Sequence, residues 1–560
     1  MNNSLWNILP PAPADYFAET PDLPPLIAQI LYNRGLTEPS QLASFIAADE
    51  RLSADPFLLP DMHQAVARTY RALLSGENIA IYGDFDADGI TATTLLVQGI
   101  SRLGGNVIPY LPHRLNEGHG VKTTALEKLH QQGISLVITV DCGITALAEV
   151  KKAQRKGLDI VITDHHTPPD TIPPAAAVVN PKMPGSEYPF LELAGVGVAF
   201  KFLQALLQSI GKEERLDDLL DLVALGTIAD VMPLVGENRY LVKQGLRLLN
   251  TTPRPGIREM VSQTNLTIGS LDTESVSWVI APRLNTTGRL GHAMPSYQLL
   301  ITDSTEEAHQ LSLWLEQKNT ERQRLTSEVI SKAREQILSE GISPILLASD
   351  EEYPAGVIGL AAGRLREDFY RPAIVVKTGK QASTGSCRSI PEFNITQALT
   401  QCQSLLSHFG GHPQAAGFTL PTKNLPRLKE ALLKIAATKL AGVDLRPHLD
   451  IDAEVTLSKL AGDTFSSLQK LAPFGKGNPA PTFISRKVEV TDLRAIGSNG
   501  AHLKLKLRQG GSTWDGIAFN AGNCTNGVAS PIDIVYNLEV DSWYGAERLR
   551  LNILDFAPAE

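Results

Sequence analysis

Three aspartates in close succession, in Gly83-Asp84-Phe85-Asp86-Ala87-Asp88-Gly89, are the first feature of this 560-residue chain that could do chemistry. Further along, Asp141 follows LVITV, Asp164-His165-His166 follows DIVIT, and Asp230 follows DLVALGTIA. Each acidic or histidine feature thus falls where an apolar strand or helix stops. Carboxylate oxygens with imidazole nitrogens suit Mn²⁺ or Mg²⁺ better than they suit a thiolate-loving metal. Packed like charges repel, and a divalent cation among them relieves the repulsion. Two such ions can clamp a phosphoryl displacement, one activating water and the other steadying the leaving oxygen.

Each feature alone has a plainer reading. An aspartate at a strand end is commonly a helix N-cap or a turn residue, Asp230 could cap a turn before Met232-Pro233, and His165-His166 could be a loop pair. The argument for a site is that all these features occur together. The loop also begins like an EF-hand, but Leu95 stands where the twelfth-position Glu should be, and a strand precedes it. An aspartyl nucleophile of the haloacid-dehalogenase kind would also follow a strand. Asp84-Phe85-Asp86-Ala87 lacks the Thr or Val expected after the second Asp, which leaves that reading the weaker one.

The elements that must position these groups follow from the apolar rhythm. After short helical pieces broken by prolines up to Gly76, strand-like runs alternate with longer amphipathic stretches, the pattern of a βαβ sheet. Strands are predicted over 78–83, 107–111, 136–140, 159–163 and 175–179, with helices over 90–103 and 145–156. In an open parallel sheet, ligands gather beyond the carboxyl ends of the strands, so groups distant in sequence can meet there. Residues 304–340 contain no Gly or Pro and would make a helix of about 55 Å, or two helices with a polar turn near Lys318. A smaller α/β domain follows, and from Leu449 short strands with Gly-rich turns suggest a β-barrel.

Composition is that of an ordinary globular chain, with 43% hydrophobic residues and a mean hydropathy of -0.05. No run reaches the ~18 apolar residues of a membrane span, and no signal-peptide pattern is seen, so no membrane association and a cytoplasmic location are expected. Cys142, Cys387, Cys402 and Cys524 are scattered and form no zinc or disulfide framework. The net charge of -9 requires any nucleic-acid binding to come from local patches.

GDFDADG, VDCG at Asp141, TDHH at Asp164 and ALGTIADVMPL at Asp230 strongly resemble the DHH phosphoesterase superfamily in order and spacing. The likeness continues through YLPHRLNEGHG, PRLNTTGRLGHA, GVIGLAAGRL, GSCRSI, FGGHPQAAG and LAPFGKGNPAPTF, which are similar to its branch of single-strand-specific DNA exonucleases. That resemblance implies an α/β multidomain chain. It would comprise an N-terminal helical extension (1–75), a DHH parallel-sheet catalytic domain (76–300), a long connecting helix (301–342), a smaller α/β DHH-associated domain (343–442) and a C-terminal OB-fold barrel (443–560). It implies Asp84, Asp86, Asp88, Asp141, His165 and Asp230 as ligands of two Mn²⁺ or Mg²⁺ ions, with Asp84, His165 and His166 as the catalytic groups. Arg114, Arg289 and Arg364 would hold DNA phosphates, Ser386 and Arg388 the 5′ end, and His412 would line the same cleft. His113, His119 and Cys387 depart from the superfamily's usual residues.

In His502-Leu503-Lys504-Leu505-Lys506-Leu507-Arg508, alternation puts the basic residues on one strand face. Lys504 and Lys506 would then track a DNA backbone, with Trp514, Phe519, Trp543 and Tyr544 as stacking platforms, unless they belong to the core. The expected activity is metal-dependent 5′ to 3′ hydrolysis of single-stranded DNA to 5′-mononucleotides in recombination and repair. Its alternatives are a phosphodiesterase or pyrophosphatase on small substrates, and a non-catalytic Cdc45-like DNA-binding scaffold. The resemblance also implies a single-strand-binding protein and a helicase as partners, and a monomer.

Overall fold

The computed structural model describes residues 4–114, 116–212, 216–522, 524, 528, 530–541 and 548–559. The chain divides into two units: residues 54–232 with 241–445, and residues 1–53 with 233–240 and 446–560. Among the described residues, no helix is long and apolar enough to cross a membrane.

The larger unit begins with a five-stranded, all-parallel sheet. Its order from edge to edge is Asn106–Tyr110, Asn78–Tyr82, Ile134–Val140, Asp159–Thr163, Ala177–Val179. The inner strands are apolar on both faces because helices cover both sides. Ala87–Arg102 packs with Gly195–Gln208 and Leu220–Ala229, while Leu126, Leu129, Val150 and Ala153 of two other helices fill the core with Val137 and Ile160. The chain runs outward from Asn78–Tyr82 to Asn106–Tyr110, then returns past it to Ile134–Val140. Such a reversal opens a crevice at the carboxyl ends of the two central strands. The predicted strands lie where expected, with ends shifted by one or two residues.

Thr305–Glu340 is one continuous helix of 36 residues, without the alternative break near Lys318. Ser304 caps its start by accepting the Glu307 amide at 3.2 Å, Glu306 and Glu307 complement the helix dipole, and Gly341 at φ +89° ends it. Its buried residues Ala308, Ser312, Leu315 and Asn319 lie in the first half, and Val329, Ala333 and Ile337 in the second. The second half packs beneath a mixed sheet ordered His408–His412, Ala415–Pro421, Ala382–Arg388, Ala373–Lys377, Leu346–Asp350.

In the smaller unit, five strands close into a barrel: Phe483–Ile496, His502–Gln509, Ser512–Ala518, Arg548–Pro558 and Ile532–Asp541, which pairs back to the first. Leu503, Leu505 and Leu507 point into its core, as the alternation requires. Residues 1–75, expected as one extension, are divided at Ser53. Tyr16, Ile27, Ile30, Leu31, Leu42 and Phe45 share a hydrophobic core with Leu457, Phe483 and Tyr536 of the barrel, whereas the helix Met62–Ser75 packs in the larger unit. The stretch 76–300 is interrupted as well. Residues 233–240 belong to the smaller unit, where buried Arg239 lies over the Phe45 ring at 3.8 Å and donates to the carbonyls of Phe45, Leu471 and Ala472 at 2.7, 2.8 and 2.9 Å.

Candidate metal centre and anion cleft

Asp84, Asp86 and Asp88 leave the end of Asn78–Tyr82, and Asp141 leaves the adjacent Ile134–Val140, so the crevice between these strands receives both. The turn is tight: a Cβ on Gly89 would lie 2.6 Å from the Asp84 backbone nitrogen, so no side chain fits there. Asp86 caps the following helix by accepting the Gly89 amide at 3.1 Å, and Asn285 accepts the Ala87 amide at 2.8 Å from outside the loop. Asp88 accepts the Gly195 and Val196 amides at 2.7 and 2.8 Å. The capping reading of these aspartates is therefore true of Asp86 and compatible with a site. Asp141 adopts φ +58°, a left-handed conformation uncommon for a non-glycine residue and typical of functional positions.

Asp230 differs in origin, since it terminates the helix Leu220–Ala229 rather than a strand. His165 Nε2 lies 3.1 Å from Asp141 Oδ1 and 3.7 Å from Asp230 Oδ2. Three sets of donor atoms lie within 4.8 Å: Asp84/Asp86/Asp141, Asp88/His165/Asp230 and Asp141/His165/His166. Asp141 and His165 each belong to two sets, the arrangement expected of neighbouring ions that share ligands. All six sequence-predicted ligands are thereby brought together.

The electrostatics fit a cation. Burial and the negative charge of neighbouring carboxylates raise Asp86, and raise Asp88 and Asp141 well above the ordinary carboxylate range. Asp84 Oδ1 is buried without a hydrogen-bond partner. Burial and the charge of His166 push His165 down to about 3, leaving a neutral imidazole able to coordinate. Oxygen donors with one or two imidazoles, crowded and uncompensated, match a hard divalent ion.

Asp164, of the same tripeptide, has a different task. It is fully buried, and its Oδ1 accepts from the His165 and His166 amides at 2.7 and 3.1 Å and from His166 Nδ1 at 2.8 Å, while Oδ2 accepts the Ile144 amide at 2.9 Å. Burial alone would raise this carboxyl, but the bond to His166 and the histidine charges bring it down to about 2. Burial likewise opposes charge on His166, but the Asp164 bond and charge prevail and raise it to about 9. His166 is thus a half-exposed cation beside the carboxylate cluster.

Basic groups face this cluster. Burial and the charges of Arg114, Arg322 and Arg388 push Arg289 down to about 9. Arg114, which lies 5.0 Å over the Phe85 ring, is lowered by burial although Asp84 and Asp86 oppose the shift. None of these four arginines forms an ion pair with a carboxylate among the described residues. Arg388 donates to Cys387 O at 2.8 Å and Ser386 Oγ at 3.4 Å, and a Cβ on Gly359 would lie 3.0 Å from that hydroxyl. The N-terminus of the helix Ile358–Phe369 therefore abuts Ser386 and Arg388, a ready anion site.

The structure separates some predicted groups from this set. Arg364 is turned to Asp368 at 3.1 Å and Glu367 at 3.7 Å, and Arg388 is lowered by burial and by the charges of Arg114 and Arg366, not of Arg364. His412 stands exposed on an edge strand. Arg322 and Asn285 were not singled out from sequence, because only the packing of their helices brings them to the cluster. On the barrel, Lys504 and Lys506 are exposed as predicted, but Lys506 lies opposite both Asp492 and Asp515, and Arg508 pairs with Glu489 at 2.6 Å. Acidic neighbours thus offset the face at Lys506 and Arg508, whereas Lys504 lies opposite Arg494 and keeps its end of the strand basic. Trp514 donates to Leu457 O at 3.1 Å and packs on the core; Phe519 is exposed beside His502 and Arg550. Trp543 and Tyr544 lie outside the described residues.

Comparison with known proteins follows this division. Residues 78–227 match the DHH family N-terminal domain, 342–438 the DHHA1 domain and 451–555 the RecJ OB domain. The single-stranded-DNA-specific exonuclease RecJ of Bacillus subtilis (strain 168) is 38% identical over 96% of this chain and 68% of its own length. The protein of that name from Dickeya dadantii (strain 3937) is 33% identical, with 96% of each chain covered. The crystal structure of RecJ in complex with Mn²⁺ from Thermus thermophilus superposes with a TM-score of 0.86 at 30% identity, covering 100% of this chain and 80% of that one. Its counterpart with Mg²⁺ gives 0.80 at 27% identity, covering 100% and 79%.

Proposed function

This chain belongs to the RecJ family, and from that premise we propose that it hydrolyses single-stranded DNA from the 5′ end, with Mn²⁺ or Mg²⁺, releasing 5′-mononucleotides. The observation that carries the reading is the juxtaposition of crowded, buried carboxylates with partly buried arginines that have no carboxylate partner among the described residues, in one cleft. A bound cation and a polyanion satisfy both at once. The names of the relatives, single-stranded-DNA-specific exonucleases, support the single-strand substrate, and the Mn²⁺ and Mg²⁺ complexes support the ions.

Divalent ions, when bound by Asp84, Asp86, Asp88, Asp141, His165 and Asp230, polarise water and the phosphate oxygens. Asp141 and His165 would hold them adjacent. His166, kept protonated by Asp164, presents a charged Nε2–H to a phosphate oxygen or to the departing O3′. Arg289 and Arg114 neutralise the backbone, and Arg388, Ser386 and the helix N-terminus at Ile358 receive a terminal 5′-phosphate. The 5′ to 3′ polarity rests on the family membership, and a 5′-phosphate anchored in that last pocket would be consistent with it. Service in recombination and repair, a cytoplasmic location, a monomeric state, and a helicase and a single-strand-binding protein as partners belong to the same proposal.

The test is single-stranded DNA labelled at either end, with Mn²⁺ or Mg²⁺, beside duplex and short-oligonucleotide controls. Release of a 5′ label first is expected. Prior release of a 3′ label would overturn the polarity, exclusive cleavage of short oligonucleotides would favour a small-substrate phosphodiesterase, and binding without turnover a scaffold.

A further inference from the structure

Between the two packed halves of the helix Thr305–Glu340 lies a stretch, residues 320–328, without a fully buried side chain. Trp314, Lys318 and Arg322 recur at four-residue spacing, so they share one face leading into that stretch. Trp314 is 37% exposed, large for an indole on a helix pinned along its length. The Lys318 ammonium lies 6.0 Å from its ring and 2.7 Å from Glu321. Arg322 donates through Nη2 to buried Asn319 Oδ1 at 2.7 Å, whereas its Nε is buried with no partner. A guanidinium braced on one edge and orphaned on the other is costly unless a ligand meets the free edge. The neighbouring helix Ala281–Leu290, which carries Arg289, is fastened here through Arg283 and Glu316 at 2.5 Å.

We propose that this helix face is a lane for the single strand: Arg322 grips a backbone phosphate next to the one held by Arg289, and Trp314 stacks on a base farther from the metal centre. Base stacking on an exposed aromatic tolerates any sequence, as an exonuclease requires. Lys318 steadies the indole from its edge while remaining tied to Glu321. The inference rests on the function proposed above and adds residues that the motifs did not single out.

The full chain is titrated with a fluorescent dT20 strand in EDTA, and hydrolysis of the same strand is followed with Mn²⁺. Arg322→Gln is expected to raise KM about tenfold with a much smaller change in kcat. It should also lower the slope of log affinity against log salt by about 0.7. If glutamine unfolds the chain, judged by circular dichroism, Arg322→Lys keeps the charge but loses the fork, and KM should still rise; an unchanged KM overturns the inference. Trp314→Ala is expected to weaken dT20 binding several-fold while leaving an abasic strand of equal length bound as tightly as by the native chain. Equal loss on both strands, or none on either, overturns the stacking role. A native chain that fails to degrade dT20 overturns the underlying exonuclease reading instead, whereas native turnover with wild-type KM and salt slope in Arg322→Gln overturns only the lane.

Discussion

Asp164 accepts Nδ1–H of His166 at 2.8 Å and thereby fixes the charge of a side chain two residues further along the chain. The middle histidine of the tripeptide is left neutral and the last one cationic, so one motif presents both an unprotonated and a protonated imidazole.

Asp164→Asn keeps the shape but removes the charge that holds His166 near 9. Burial then pulls His166 downward, and its proton is lost at lower pH. The alkaline limb of the kcat profile should move to lower pH, and kcat at neutral pH should fall about a hundredfold. An alkaline limb that stays in place would sink the role given to His166.

The crowded carboxylates predict opposite effects with and without metal. In EDTA, Asp141→Asn should melt no lower than the native chain, because it removes one of several mutually repelling charges. Added Mn²⁺ should stabilise the native chain by about 2.7 kcal/mol at a hundred times Kd, and the variant by far less. Differential scanning calorimetry reads both, independently of catalysis. An equal Mn²⁺ shift in the two proteins would remove Asp141 from the ligand set.

Arg289 should contribute to binding and not to stability. Arg289→Gln is expected to lower kcat/KM on single-stranded DNA by about a hundredfold, the loss of a charge-assisted pair. The ligand-free melting point should not drop, since the lost charge had no carboxylate partner. A large drop in melting point would mark the residue as structural.

Arg68 ties the helix Met62–Ser75 to the sheet through Glu77 at 2.7 Å and Asp159 at 2.6 Å. Burial raises Glu77, but the bonds to Arg68 and Ser135 outweigh it and lower its pKa. A depressed carboxylate contributes stability above its unfolded pKa and loses it as pH falls through the folded one. Arg68→Met should cost about 2 kcal/mol at pH 7, discounted for the half-exposed Asp159. The gap between variant and native chain in urea should narrow towards pH 4; a gap that widens would contradict the assignment.

Much of this site was legible because its groups sit where apolar runs end. Ile79 to Tyr82 and Leu136 to Val140 are unbroken enough to read as buried parallel strands, and the aspartates follow directly. Asp230 was legible as a member of the acidic set by motif but not as a helix terminus, since DLVALGTIA has no clear period. Arg322 was not legible at all: its meaning depends on which face of a long helix meets Arg289. On the barrel, the alternation of leucines and lysines was read correctly, but strand register sets Asp492 and Asp515 opposite Lys506, which no single strand contains. The division of residues 1–75 was likewise hidden, because amphipathic helices do not declare whose core they complete.

The interleaved path of the two units bears on how the gene can be cut. The backbone passes between them after Ser53, Met232, Tyr240 and Leu445, so no single restriction point yields either one whole. A catalytic fragment trimmed at both termini would still carry Arg239, stripped of Phe45, Leu471 and Ala472 and left as a naked cation. Excision of 233–240 with a short loop would spare such a fragment that unpaired guanidinium. The same threading means that exchanging the barrel in a chimera would require three separate segments, 1–53, 233–240 and 446–560, to be replaced together.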